Sequence, residues 1–241
     1  MKALSRLTLF VLPALALSTL AFAAPAEAAQ RRYGVVSFSR IQIDGNFNGD
    51  IRVGTSASVT ADGDGRALES LVVDVQNDTL IIRVDRTAAP PRGASDRSSA
   101  PITLTIAATR LNSVAMNGNG RIHVQGLREA DTKLMLRGSG ALSADTISTG
   151  NLAASLDGAG KLTLAGKANG ATVRILGAGN IDASALAVRD LDVDANGTAS
   201  GTFSASRRAG VTAQGLATVM VAGTAACAVK NNGNGEVYCG K

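Results

Sequence analysis

The stretch Val114–Val124, VAMNGNGRIHV, decides the fold, because its grammar returns along the chain as far as the C-terminus. Apolar residues alternate with others up to a Gly-x-Gly bend at Gly118 and Gly120, and a second alternating run, Ile122 and Val124, leaves it. The bend recurs with Gly138 and Gly140, with Gly158 and Gly160, with Gly177 and Gly179, and with Gly233 and Gly235. Two further copies keep the first glycine, Gly197 or Gly215, and carry Ala199 or Ala217 in place of the second. First glycines therefore fall at 118, 138, 158, 177, 197, 215 and 233, in steps of 20, 20, 19, 20, 18 and 18 residues.

Counted from the first glycine of each copy, position minus four reads Val114, Leu134, Ala154, Val173, Val193, Val211, Val229. Position minus two holds Met116, Leu136, Leu156 and Ile175 in the first four copies; plus four holds Ile122, Leu142, Leu162 and Ile181, and plus six Val124, Ala144, Leu164 and Ala183. The odd positions are mostly Ser, Thr, Asn, Asp, Arg and Lys. A side-chain period of two makes these segments strands. A fixed repeat near 20 residues makes the strands the rungs of a solenoid, with the apolar columns facing inward. The expected fold is all-β: a single-stranded parallel β-solenoid, regular over 111–241, about 30 to 35 Å long at one sheet spacing per coil. Glycine suits the bends because backbones of successive coils approach closely there.

Before the repeats, residues 1–29 read as a secretory signal peptide: Lys2 and Arg6, an apolar run from Leu7 to Phe22, then alanine-rich cleavage options, with cleavage expected near Ala28 or Ala29. No cysteine follows the apolar run, so lipid modification there is not indicated. Loss of Lys2, Arg6 and Glu27 with that segment takes the net charge from +5 to +4. The remainder, 30–241, suffices for one domain with a real core. From Gly34 to Val84 the strands continue with looser spacing, read here as irregular first coils and a cap. Leu71–Val75 and Leu80–Val84 flank an Asn-Asp turn and predict a hairpin. Residues 87–101, rich in Pro and Ser, break the pattern and are expected to form a mobile surface insertion.

The Gly-x-Gly bends, the segment Leu111–Ile122, the opening FSRIQIDGNFNGDIRV from Phe38 and the closing GNGEVYCG from Gly233 together resemble the head GIN domain family, the auto-transporter adhesin heads of bacterial envelopes. The likeness covers Val36–Gly240. It implies an exported, right-handed β-solenoid with no agreed catalytic residues. The chain departs from the family pattern in its long Pro/Ser insertion and at Ala199 and Ala217, where a weakened register of the fifth and sixth coils is expected.

Chemistry is sparse on the repeat surface. His123 is the only histidine, with Ser143 and Thr163 stacked next to it and no acid expected beside it, so no hydrolase triad is expected. Asp192 and Asp194 share a face two residues apart, the best candidates for a paired-carboxylate, polysaccharide-cleaving site. Stacking sets Arg174 beside Asp194 and Arg137 beside Asp157, the pattern of ordinary surface ladders. Asp62 and Asp64 lack the third acid a calcium loop needs, so a turn is expected there and neither metal nor cofactor. No helix follows the glycine bends, which excludes phosphate cradles.

Charge and aromatic content narrow the partners. The basic residues form no stripe, and after signal removal only Tyr33, Phe38, Phe47, Phe203 and Tyr238 remain as aromatics, which counts against nucleic acid and stacking sugar clefts. Gly215–Val229 carries no charge, but it is too short and too broken by Gly and Thr to span a bilayer. The resulting expectation is a non-catalytic exported envelope protein, adhesin-like or scaffold-like, meeting polysaccharide or protein through a Ser/Thr/Asn-rich surface. A glycan-cleaving enzyme using Asp192 and Asp194 is the alternative.

Cys227 and Cys239, the only cysteines, predict a disulfide in an oxidising compartment. They lie six residues either side of Gly233, and a hairpin turning there would set them opposite one another. Closing that loop is expected to contribute about 2 to 3 kcal/mol.

Overall fold

The structure, a computed structural model, describes residues 29–85 and 101–240. The expected signal peptide and the 87–101 insertion, Pro101 apart, lie outside these residues. The head comprises β1 (Ala29–Tyr33), β2 (Arg40–Asp44), β3 (Phe47–Val53), β4 (Ser58–Gly63), α1 (Gly65–Glu69), β5 (Leu71–Gln76), β6 (Thr79–Val84) and β7 (Ile102–Ala108). The body follows with β8 (Ser113–Asn117), β9 (Arg121–Gln125), β10 (Asp131–Gly138), β11 (Ala141–Gly158), β12 (Lys161–Gly177), β13 (Asn180–Gly197), β14 (Ser200–Gly215), β15 (Thr218–Ala222), β16 (Ala226–Asn231) and β17 (Glu236–Cys239).

The body is a parallel β-solenoid of about six turns, about 20 residues apart. Each of β11 to β14 runs from one glycine bend to the next and lies on its predecessor with like positions paired: Leu136 on Leu156, Leu156 on Ile175, Ile175 on Ala195. The even columns face inward, where Val114, Met116, Leu136, Leu156 and Ile175 are fully buried. Removing each such Leu or Ile from water contributes about 1.5 to 3 kcal/mol. Position minus six is also interior, with Leu152, Ala171, Leu191 and Ala209 buried. Where the plus-four column lacks a side chain, at Gly201, the Phe203 ring fills the gap; a Cβ there would come within 2.5 Å of it. A small residue is thus balanced by a large one, as close packing requires.

The two bend positions differ. At the first, φ is positive from Gly118 through Gly215, +117° at Gly138, where an added Cβ would stand 2.5 Å from the Gly118 carbonyl oxygen; Gly233 in the last copy is not left-handed. The second position is not left-handed, so alanine fits its backbone, and Ala199 and Ala217 sit there fully buried. An added Cβ at Gly140 would still crowd the Gly120 oxygen at 2.7 Å, so the two positions differ in backbone conformation and not in space, and the degenerate copies lose the glycine whose φ any residue can adopt. The register through those copies is intact, Gly197 on Gly215 and Ser200 on Thr218, contrary to the weakening expected from sequence. The shifts fall instead away from the bend, between Ala183 and Ala187 and between Val188 and Asp190.

The head is not stacked in chain order. β2 and β3 lie parallel between β6 and β7 on one side and β8 and β9 on the other. Antiparallel strands cover this end: β4 on β7, β1 on β4, β5 on β6. The β5–β6 hairpin turns at Asn77 and Asp78, with φ of +47° and +63°, the pair of left-handed residues a two-residue loop needs. Asp64 caps α1, accepting from the Arg66 and Ala67 amides.

At the other end Cys227 and Cys239 form a disulfide with their Cα atoms 6.3 Å apart. The hairpin expected to align them does not form. β16 pairs in parallel with β14 and β17 with β15, so the last bend is one more coil corner. The cysteines meet because positions minus six and plus six are facing interior columns, and the bond takes the place of an apolar contact across them.

Candidate functional site

His123 sits on β9, where the permuted head brings Asp50 of β3 alongside it in register. Its Nε2 lies 2.7 Å from Asp145 Oδ2 and its Nδ1 3.4 Å from Asp50 Oδ1. The expectation that no acid stands beside His123 is therefore overturned: Asp50 arrives from outside the repeat numbering, and Asp145 reaches across from the next coil. Ser143 is the in-register neighbour of His123, but its hydroxyl donates to the Ile122 carbonyl at 3.4 Å. The cluster ties three coils together on an open face. Among the described residues no group of three or more His, Cys, Asp or Glu is arranged to hold a metal ion.

Asp192 and Asp194 project from β13 into a shallow groove of about 520 Å³ shared with Thr172, Arg174, Gly210, Thr212 and Lys230. Asp194 faces Arg174 at 3.8 Å, and the Asp192 carboxylate lies over Gly210, whose added Cβ would come within 2.6 Å of it. The stacking of Arg174 on Asp194 and of Arg137 beside Asp157 follows the repeat. Both partners of the Arg174–Asp194 pair are largely solvated, so the pair contributes little to stability.

A second groove, about 650 Å³, runs along the side of the body between bends, and sequence reasoning missed it. It crosses β11, β12, β13 and β14 and is lined by Ser148, Lys167, Asn169, Arg189, Ser204, Ser206 and Thr224, with no carboxylate among its walls. Ser206 donates to the Val188 carbonyl at 3.2 Å and Thr224 to the Ser206 carbonyl at 3.1 Å, which fixes both hydroxyl oxygens and leaves them free to accept. The neighbouring acid, Asp190, is taken up by Arg207, whose Nε donates to its Oδ1 at 2.8 Å. That hydrogen bond holds the Asp190 carboxyl below its ordinary range and raises Arg207. Lys167 and Arg189 are in no ion pair among the described residues. The groove lies where the register shifts, between Thr163 and Ala165 and between Ala183 and Ala187, so offsets counted from the bends lose their meaning there.

Residues 37–225 match the family model described as "Putative auto-transporter adhesin, head GIN domain". The chain belongs to the head GIN domain family. Its fold is similar to that of a solved putative adhesin from Bacteroides fragilis, with a TM-score of 0.83 at 20% identity over 90% of this chain and 98% of that one. A putative adhesin from Parabacteroides merdae gives 0.68 at 19% identity, covering 88% and 95% of the two chains. A protein from Parabacteroides distasonis described as a putative lipid binding protein gives 0.68 at 15%, covering 89% and 97%. At these identities the GIN fold is what is shared. No curated protein matches the chain. Among the described residues no helix is long and apolar enough to cross a membrane.

Proposed function

We propose that this GIN-family chain is an exported, non-catalytic, adhesin-like protein of the cell envelope that binds a polar polymer along the side groove of its solenoid. Family membership supports the adhesin-like role, and the Cys227–Cys239 bond supports export, since disulfides persist in oxidising compartments. The groove carries the finer reading. It spans four successive coils, offers hydroxyls and an amide at several levels, and holds two cations with no acid in its walls, which suits an extended polysaccharide bearing carboxylates. The Asp192–Asp194 face has an arginine beside one carboxylate and a lysine in the same groove, an arrangement suited to salt-bridged surface structure.

The test is binding of the mature chain to immobilised polygalacturonate and to a neutral glucan. Lys167→Ala/Arg189→Ala is expected to weaken polygalacturonate binding by at least about tenfold, as lost charge-assisted contacts would. Asp192→Asn/Asp194→Asn is expected to leave it unchanged. Equal binding by the parent and the Lys167/Arg189 variant would remove the groove from the proposal.

A further inference from the structure

Among the described residues the last coil leaves a sheet edge open. β16 pairs on one side with β14, and β17 with β15; on their other side no strand lies among the described residues. All six residues of β16 are exposed, Val229 at 48% although it belongs to an interior column, and Tyr238 of β17 is 53% exposed. An unpaired edge with apolar rungs is a template for another strand. The head end differs, since antiparallel β4, β1 and β5 lie over its parallel strands.

The two arms of this coil are arranged symmetrically about Gly233. The disulfide joins the residues six before and six after it across 6.3 Å between Cα atoms, and the Asn231 side-chain amide, two before it, donates to the carbonyl of Gly235, two after it, at 2.8 Å. A two-fold axis passing through that bend, perpendicular to the solenoid axis, carries β16 of one copy onto the open edge of β17 of another. The strands then run antiparallel, and each residue meets the one at the equal and opposite distance from Gly233. Lys230 falls opposite Glu236, Val229 opposite Val237, and Ala228 opposite Tyr238. The two charges are of opposite sign and both stand on the outer face. The valines extend the interior column across the junction. Tyr238 already donates to Glu236 Oε2 at 2.6 Å and holds that carboxylate on the outer face.

We propose that two copies of this chain join tail to tail through their last coils, in a closed two-fold dimer in which β16 and β17 continue each other's sheets. The contact is isologous, so every pairing occurs twice and assembly stops at two. Cross-strand opposite charges favour this register, and like charges placed opposite each other disfavour it.

The mature chain, with its disulfide intact, should sediment at twice the chain mass at micromolar concentration. Lys230→Glu alone and Glu236→Lys alone place like charges opposite one another and are each expected to weaken the dimer by roughly tenfold. The double variant Lys230→Glu/Glu236→Lys restores the pairing and is expected to restore the dimer. Both side chains are on the surface, and an unchanged circular dichroism spectrum confirms that the single variants fold. A monomeric parent overturns the proposal. So do a dimer indifferent to the single changes, a double variant that fails to recover, and polymers that grow with concentration, which would mean a tail seated on another copy's head.

Discussion

The head and the body of the solenoid are made of the same kind of strand, yet they are assembled by different rules. In the body each coil lies on the one before it in the chain, so a position counted from the bend glycine keeps its meaning from Met116 to Leu136 to Leu156. In the head the coil formed by β2 and β3 is inserted between β6–β7 and β8–β9, strands that follow it in sequence. Both arrangements satisfy backbone hydrogen bonds and bury aliphatic columns. The difference is that ladder order in the body is dictated by chain connectivity, whereas in the head it is chosen by tertiary fit, with antiparallel strands closing what the parallel ladder leaves open. A repeat therefore advertises its own core and conceals what touches its first copy.

The most severe way to break the contrast is to charge the body's interior. Leu156 is fully buried, with Leu136 and Ile175 in register above and below it. Leu156→Asp places a carboxylate among aliphatic side chains with no partner, a cost of about 4 kcal/mol or more. Each coil rests on its neighbours, so the loss spreads through the stack. The purified variant is expected to lack the parent's cooperative thermal transition by circular dichroism; a melt matching the parent would mean that the inward register is wrong.

The interior columns, the bends and the near-20-residue step were legible because they depend on period two and on glycine, both visible in one dimension. The partners of His123 were not. Asp50 precedes it by 73 residues and belongs to a coil whose place in the stack the sequence does not order. The side groove was hidden for a related reason: steps of 18 to 20 residues are absorbed by register shifts on that side, so Lys167 and Arg189 carry no common offset. The cysteine pairing was anticipated from symmetry about Gly233, but through a hairpin that the parallel pairing of β16 with β14 excludes.

Bend glycines test the same contrast at a smaller scale. Gly138, in the body, has φ +117°, and its added Cβ would press on the backbone oxygen of Gly118. Gly45, its counterpart in the β2–β3 coil, has φ +149°, and its Cβ would meet the buried Phe47 ring, a side chain and not backbone. Gly138→Ala combines left-handed strain with an immovable neighbour and is expected to cost about 2 to 3 kcal/mol. Gly45→Ala is expected to cost less. Denaturant midpoints with unchanged slopes would rank the two, and the reverse order would show that the head stack is the tighter one.

The smallest effect probes the junction itself. Asp50 and His123 meet only because the β2–β3 coil is slotted beneath β9, and the pair sits at the surface, with side chains 53% and 32% exposed. Solvent competes for both groups, so Asp50→Asn is expected to cost less than about 1 kcal/mol. Asp145→Asn removes the shorter contact, 2.7 Å against 3.4 Å, and acts between two coils already adjacent in chain order. Its effect on stability is expected to be of the same small size, yet the two changes should be distinguishable. Asp50→Asn perturbs the His123 Cδ2 and Cε1 proton resonances through Nδ1 and also increases amide exchange in β2 and β3, because it loosens an inserted coil. Asp145→Asn shifts the ring resonances through Nε2 and leaves exchange in the head unchanged. If Asp50→Asn leaves the His123 resonances where they were, β3 does not lie against β9, and the permuted order of the head is wrong.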